Sequence, residues 1–253
     1  MEDVLTEQPP PSRFFLEDLN NFAPPSPPLP SPLLIFSKNP NPNPDLRPSL
    51  LIIAISPPSL SLFHHLPKTL IGTLILPEIP LSGNCIRPSL RDRSSHVFSL
   101  HRSPSTLLVS VQYSVPADRS YVVARSLLTE IRPETVVVFD SIQSRNFRGK
   151  LPIDETFAFK LETSKQRAAD PTVRGLEYFP SGSVIDGLAA AVLARCQIEK
   201  IKGTLCVSWP ESGNSAVVLL RCLMKDVLPD LEFVCDSGSD QIRDGRIDSE
   251  LYT

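Results

Sequence analysis

The sequence has few of the features that mark membrane, exported or nucleic-acid-binding proteins. Apolar runs such as Leu50 to Ile55 are far shorter than the roughly 20 residues that a helix needs to cross a bilayer. The first residues, Met1-Glu2-Asp3, are acidic and lack the basic-then-apolar pattern of a signal peptide, so we expect no export. Lysine and arginine are scattered and the net charge is -3, which disfavours nucleic-acid binding because that function needs clustered positive charge.

Cysteines in pairs are also missing. The five cysteines are odd in number and form no C-x-x-C motif, whereas a zinc site needs paired soft ligands at short spacing. We therefore predict free thiols in a reducing compartment, the cytoplasm, with the nucleus left open as a second location. The five are Cys85, Cys196, Cys206, Cys222 and Cys235.

Catalytic motifs are equally scarce. No G-x-S-x-G string is present, so a nucleophile elbow is not predicted. The segment Ser181-Gly182-Ser183 lacks the lysine and the later Ser or Thr of a phosphate-binding loop. Ser183 followed by Asp186 instead fits a helix cap in a capping-box-like arrangement.

The four histidines do not form a metal motif. None recurs at i, i+4 with a carboxylate between them on a helix, as a zinc site of that kind requires. We interpret them as hydrogen-bonded or solvent-facing side chains, and we predict neither a metal nor a cofactor. They are His64, His65, His96 and His101.

One carboxylate, Asp140, lies where an α/β enzyme often carries a catalytic group, at the carboxyl end of an apolar strand. The next acidic residues, Asp154 and Glu155, follow only in a loop. With no partner acid or base identifiable nearby, we interpret Asp140 as a residue that caps the following turn. The residues thus predict no catalytic constellation.

What the sequence does contain in excess is proline. Of 27 prolines, 13 fall within residues 1–48, where they prevent helices and sheets from propagating. Residues 1–48 are therefore predicted to be a mostly disordered arm. Within it, Arg13 to Phe22 can form an amphipathic helix. We expect that helix to pack on its own domain, with a partner protein as the alternative.

Residues 49–235 are predicted to form an α/β domain, a mainly apolar sheet flanked by helices, because apolar strands alternate with amphipathic helices. Residues 236–253 are predicted to be a flexible, acidic tail. The predicted strands are Ser49–Ile55, Leu70–Leu76, His96–His101, Thr106–Tyr113, Thr135–Asp140, Phe157–Leu161, Gly203–Trp209 and Leu231–Cys235. The predicted helices are Ala117–Ile131, Val184–Cys196 and Ser215–Val227.

The sequence ends with Leu251-Tyr252-Thr253 after the polar residues 236–250. Burial of a leucine or a tyrosine in a receiving pocket would contribute about 1.5–3 kcal/mol each. A terminal carboxylate on Thr253 would be a charge that a lysine or backbone donors can capture. Alternatively, the tail folds back on its own domain.

Three segments resemble the proteasome assembly chaperone 1 family in its plant-type form. They are Asp140 to Gly149, Gly187 to Ile201 with the strand Gly203 to Trp209, and the ending Asp248 to Thr253. The beginning of the sequence, with Pro9 to Arg13 followed by two phenylalanines, also fits. The resemblance covers most of the chain.

This resemblance implies a function without catalysis. Such chaperones form a heterodimer with a second, related subunit, bind proteasome α-subunits and favour the seven-membered α-ring. Their tails of the type hydrophobic–tyrosine–any residue insert between neighbouring α-subunits. By position, Leu251 would be the hydrophobic residue, Tyr252 the tyrosine, and Thr253 would supply a free carboxylate for a pocket lysine.

Two other functions stay open at this point. An α/β scaffold can host an enzyme, which would require a pocket with convergent polar groups around Asp140 or Ser183. A proline-rich adaptor is the other alternative, in which residues 24–32 would bind an SH3-like or WW-like domain.

Overall fold

The computed structural model describes residues 29–37, 46–80, 92–152 and 154–229. The chain divides into two units, residues 1–30 and residues 31–253. Only the last two residues of the first unit are described. All of the helices and strands named below belong to the second unit.

A nine-stranded sheet forms the centre of the second unit, with the order β1-β3-β4-β5-β2-β6-β9-β7-β8. Strands β5, β2, β6 and β9 run parallel, whereas β1, β3, β4 and β5 pair antiparallel and β7 runs antiparallel to β9. The strands are β1 (Leu33–Phe36), β2 (Leu50–Ala54), β3 (Lys68–Ile75), β4 (Ser95–Leu100), β5 (Ser103–Ser110), β6 (Thr135–Ser141), β7 (Phe157–Glu162), β8 (Glu177–Tyr178) and β9 (Lys202–Trp209).

The central strands are buried on both faces because helices cover both sides. One face packs against α2 (Ala117–Glu130) and α4 (Gly187–Ile198), and the other against α1 (Pro57–His64) and α5 (Asn214–Val227). Continuous apolar sequences such as that of β2 suit this position, since consecutive side chains point to opposite faces. A single turn, α3 (Ser164–Arg167), follows β7. The predicted α/β fold with a central apolar sheet flanked by helices is therefore confirmed.

Helix α1 lies in a stretch for which the sequence predicted neither a helix nor a strand. The helix begins at Pro57 and ends at His64. Proline is compatible with the first turn, where the backbone N–H has no intrahelical acceptor. Two apolar side chains, Leu62 and Phe63, are buried against the sheet and account for the helix.

Strand β1 lies within residues 1–48, the segment predicted to be a mostly disordered arm. It pairs with β3 in the register Leu33↔Ile75 to Phe36↔Gly72. Leu46 also forms an isolated bridge with Ile131, so ordered structure begins before residue 49. Residues 1–28, including the predicted amphipathic helix, lie outside the described residues, as do the predicted strand Leu231–Cys235 and the tail 236–253.

None of the described helices is both long enough and apolar enough to cross a membrane.

Candidate functional site

Four phenylalanines form a connected cluster on the side of β7 that faces α4. Ring centroids lie 5.5 Å apart for Phe157 and Phe159, 6.1 Å for Phe147 and Phe159, and 6.0 Å for Phe159 and Phe179. Phe179 is buried, and the other three are half-buried. Aromatic side chains that keep part of their surface in solvent are common at binding surfaces.

Beside this cluster runs a groove of about 540 Å³, which we name the α4 groove. Its apolar lining comes from β7, the segment 179–185 and helix α4. A second depression of about 460 Å³ continues it past the end of α4, because both share Thr163 and Gln197. The apolar lining residues are Leu161, Phe179, Pro180, Ile185, Ala190, Leu193, Ala194 and Leu205 of β9.

The continuation of the α4 groove carries two basic side chains. Lys165 and Lys200 line it, and both side chains are exposed. Neither lysine forms an ion pair with another residue in the part of the chain that the structure describes. Lys200 adopts φ 56°, a left-handed conformation that follows α4 directly.

Polar side chains hold the junction of the two parts in place. The Thr163 hydroxyl donates to the carbonyl of Ile201 over 3.0 Å and accepts from the amide of Gly203 over 3.0 Å. Gln197 and Ser164 bond each other twice, from the Ser164 amide to Gln197 Oε1 and from Gln197 Nε2 to Ser164 Oγ. The junction is therefore a preformed surface that ties α3 to α4.

A buried ion pair lies behind the groove, on the other face of β7. Lys160 Nζ and Glu162 Oε1 are 3.1 Å apart, and both side chains are largely buried. The Tyr178 hydroxyl donates to Glu162 Oε2 over 2.6 Å, which raises the pKa of Tyr178. With its charge and hydrogen bonds satisfied, Glu162 supports the short edge strand β8.

Asp140 lies at the carboxyl end of β6, as the sequence predicted. Burial raises the pKa of Asp140 to about 6, the Ser141 amide opposes this by donating to Oδ1 over 2.8 Å, and the carboxylates of Asp186 and Glu211 add to the increase. Neither part of the α4 groove is lined by Asp140. Its hydrogen bond to the next residue agrees with a local role at the end of the strand.

Ser183 does not cap a helix, so the capping prediction was wrong. Helix α4 begins at Gly187, whose φ is 64°, and its N-cap residue is Asp186. The Ser183 hydroxyl instead accepts a hydrogen bond from the Arg148 amide over 2.8 Å. Asp186 accepts from Asn146 Nδ2 over 2.9 Å, so both side chains hold the loop after β6 rather than the helix end.

The described histidines have ordinary partners. His96 is buried and lies 3.2 Å from Asp92, and His101 lies 2.7 Å from the Thr69 hydroxyl. His64 lies in α1, where desolvation and the charge of Lys68 lower its pKa. Among the described residues, no three His, Cys, Asp or Glu side chains are grouped so that they could hold a metal ion.

The cysteine thiols that the structure describes are free. Burial raises the pKa of Cys196 and of Cys206 to about 12 each, so neither is a thiolate at neutral pH. Cys222 is exposed. Cys85 and Cys235 lie outside the described residues.

The predicted binding residues Leu251, Tyr252 and Thr253 also lie outside the described residues. Their proposed role therefore stays a prediction. The α4 groove, in turn, was not predicted from the sequence. A signal for it was present in the helix sequence GLAAAVLARCQI, which is apolar around most of its circumference.

Comparison with known proteins gave one relative by sequence and several by structure. No family model matches the chain. Proteasome assembly chaperone 1 from Nematostella vectensis is 26% identical over 137 residues, which cover 51% of this chain and 52% of that protein. The chain thus aligns with about half the length of this curated relative.

Two solved structures from Pyrococcus furiosus share the fold. PbaB, an archaeal proteasome activator, superposes with a TM-score of 0.59 at 14% identity, covering 80% of this chain and 91% of PbaB. PbaA, an archaeal homolog of proteasome-assembly chaperone, gives 0.59 at 13% identity, covering 81% and 88%. At these identities the likeness establishes the fold alone. The sequence match confirms the resemblance predicted from the three segments: the chain is similar to proteasome assembly chaperone 1.

Proposed function

We propose that this protein is a non-enzymatic chaperone for assembly of the proteasome core particle. It acts as a heterodimer with a second, related chaperone subunit, binds proteasome α-subunits and favours formation of the α-ring. The observation that carries the proposal is the 137-residue match to a protein named proteasome assembly chaperone 1. We place this activity in the cytoplasm and leave the nucleus open as a second location.

The proposed contact with the α-ring is made by the tail. Leu251 and Tyr252 enter a pocket between neighbouring α-subunits, and a free carboxylate on Thr253 pairs with a pocket lysine. Burial of the two side chains would contribute about 1.5–3 kcal/mol each. The polar residues 236–250 form the tether, with a span of about 20 Å by random-coil scaling.

The side chains that could have supported an enzyme favour the chaperone instead. Asp140 bonds the amide of its neighbour Ser141. The Ser183 hydroxyl accepts from a backbone amide, and the α4 groove that it lines is mainly apolar. An apolar groove beside half-buried aromatic rings suits a protein or peptide ligand.

The test is a pull-down from the source cells, with the tag at the N-terminus and the chain ending at Thr253. We expect proteasome α-subunits and one related chaperone to be recovered. Deletion of residues 251–253 should reduce α-subunit recovery because the pocket contacts are lost, while recovery of the related chaperone should be unchanged.

A matched control separates the tail contact from a general loss of fold. Substitution of Ser249, which lies just before the apolar residues, by Ala removes no predicted contact and should leave α-subunit recovery intact. Full recovery after deletion of residues 251–253 would reject the tail contact. Recovery of neither α-subunits nor a related chaperone would reject the chaperone function.

A further inference from the structure

Helix α4 has more apolar surface than the fold buries. Its inward residues, such as Leu188 and Val192, are fully or almost fully buried against the sheet and α2. Its outward side carries Ala194 and Ile198, and Ile198 is 65% exposed. Ala194 also lines the α4 groove, so exposed apolar surface of the helix adjoins the groove.

The α4 groove also fits one particular kind of ligand. Small side chains such as Ala190 and Ala194 leave room between the helix and Leu161 of β7, so large side chains of a ligand can enter. The basic end, with Lys165 and Lys200, would attract carboxylates. The groove therefore suits an extended segment that combines large apolar residues with neighbouring acidic ones.

This chain contains such a segment beyond the described residues. Residues 236–253 carry five acidic side chains and two arginines, a charge opposite to that of the two groove lysines. Leu251 and Tyr252 follow Asp248 and Glu250 directly in this segment. The segment thus offers both apolar side chains for the apolar part of the groove and acidic side chains for its two lysines.

The position of helix α5 brings this segment within reach of the groove. Asp226, near the end of α5, accepts a hydrogen bond from the amide of Arg174 over 3.0 Å. Arg174 lies in the segment that leads into the edge strand β8, so the chain leaves α5 close to the β7–β8 edge. A helix is about 10 Å across, so the path around the edge to the other face is roughly 20 Å. The 19 residues from 230 to 248 span about 24 Å as a random coil.

We propose that the α4 groove binds the tail of the same chain, with Leu251 and Tyr252 in its apolar part and Asp248 and Glu250 near Lys165 and Lys200. This inference rests on the proposed function of the tail, because the same two apolar residues are then unavailable to the α-ring. The groove holds the tail back, and an α-ring pocket has to compete for it. The contact would reduce premature binding to isolated α-subunits.

The experiment measures the fluorescence anisotropy of a labelled peptide of residues 244–253. The titrated protein is the full chain carrying Leu251→Ala and Tyr252→Ala, whose own tail lacks the two apolar contacts and therefore competes only weakly. We expect saturable binding that weakens about tenfold or more when Lys165→Glu and Lys200→Glu are added. Higher salt should weaken binding as well, because it screens the charges. The unaltered chain should bind the peptide several-fold more weakly, because its own tail occupies the groove.

Lys225→Glu is the matched control, because Lys225 is an exposed lysine on α5, on the opposite face of the sheet. It should leave peptide affinity unchanged. Equal affinity of the Lys165/Lys200 variant and this control would overturn the proposal. Equal affinity of the unaltered and tail-substituted chains would overturn it too. The proposal would also be overturned by two results together: the second chaperone subunit blocks peptide binding, and the two lysine substitutions abolish dimerisation.

Measurement of α-subunit capture with the same variants separates this inference from the proposed function. Loss of capture in every variant, with peptide binding retained, would reject only the proposed function. Capture that depends on Leu251 and Tyr252, without any binding of the peptide to the groove, would reject only the present inference. If the proposed function and this inference are both correct, the Lys165/Lys200 variant should capture α-subunits more readily than the unaltered chain.

Discussion

Helices α4 and α5 flank the same strand, β9, on opposite faces of the sheet, but their outward sides differ. Helix α5 is amphipathic: Leu220 and Met224 are buried, whereas Lys225 and Asp226 face solvent. Helix α4 is apolar almost all round, with its first charged residue at Arg195. The difference indicates that packing within the domain accounts for most of the apolar surface of α5 but leaves a larger part of that of α4 for another ligand.

On α5, the buried side chains should contribute far more to the free energy of unfolding than the exposed ones. Leu220→Ala should lower the free energy of unfolding by about 2–5 kcal/mol, because a fully buried side chain is lost and a cavity remains. Val218, which is 50% exposed on the same helix, provides the control. Val218→Ala should change stability by less than about 0.5 kcal/mol. Equilibrium urea unfolding measures both, and similar losses would contradict the assignment of the two faces.

The loops that lead into α4 and α5 carry Asp186 and Glu211, and both carboxylates raise the pKa of Asp140. Its pKa is raised from 3.8 to about 6. Stability that comes from the protonated form is therefore fully present below about pH 3.8 and lost as the pH rises through about 6. Asp140→Asn should make the protein more stable at pH 7 by about 1–3 kcal/mol, because the charged form is no longer buried.

Thermal or urea unfolding across the pH range checks this prediction. The advantage of Asp140→Asn should shrink toward zero below pH 4, where the native residue is protonated as well. Asp154→Asn, an exposed change in another loop, is the matched control for the removal of a carboxylate. An Asp140→Asn variant that is less stable than the unaltered protein at pH 7 would show that the carboxylate makes a stabilising contact.

The two loops should not contribute equally to that pKa. Asp186, before α4, raises the pKa of Asp140 more than Glu211, before α5, does. Asp186→Asn should therefore lower the pKa of Asp140 further than Glu211→Gln. An NMR titration of the Asp140 carboxyl carbon measures the two shifts, and the reverse order would contradict the described geometry.

The smallest effect on stability is expected on the outward side of α4. Ala194→Gln should change the free energy of unfolding by no more than about 0.5 kcal/mol, the difference in helix propensity. The matched change on the inward side, Ala189→Gln, should cost several times more, because Ala189 is fully buried. Urea unfolding compares the two. A large loss for Ala194→Gln would mean that this side of α4 is packed within the domain.

The apolar strands were predictable because burial leaves a direct mark on sequence. Strands β2 and β6 contain continuous apolar runs that require cover on both faces, and the structure provides it. Helix α1 was not predicted, since Pro57-Pro58 indicates a break as readily as a helix start. Which alternative occurs depends on the tertiary contacts of Leu62 and Phe63, and local sequence does not contain this information.

The candidate site was less predictable than the fold. The tail was identified from its composition, but the α4 groove arises where residues distant in sequence, such as Leu161 and Leu193, meet. Ser183 was assigned to a helix cap from spacing alone, yet its hydroxyl bonds Arg148, 35 residues away. Local patterns predict elements well, whereas grooves and loop anchors depend on long-range packing.

Strand β1 has a consequence for the behaviour of the protein in concentrated solution. It forms one edge of the sheet, its one strand neighbour among the described residues is β3, and Leu33 and Ile35 are more than half exposed. Such an edge can pair with a strand of another molecule and begin aggregation. Pro32 precedes it and has no N–H to donate, so a foreign strand could extend its pairing over only the short length of β1. Proline next to an aliphatic edge thus limits self-association without a charged side chain.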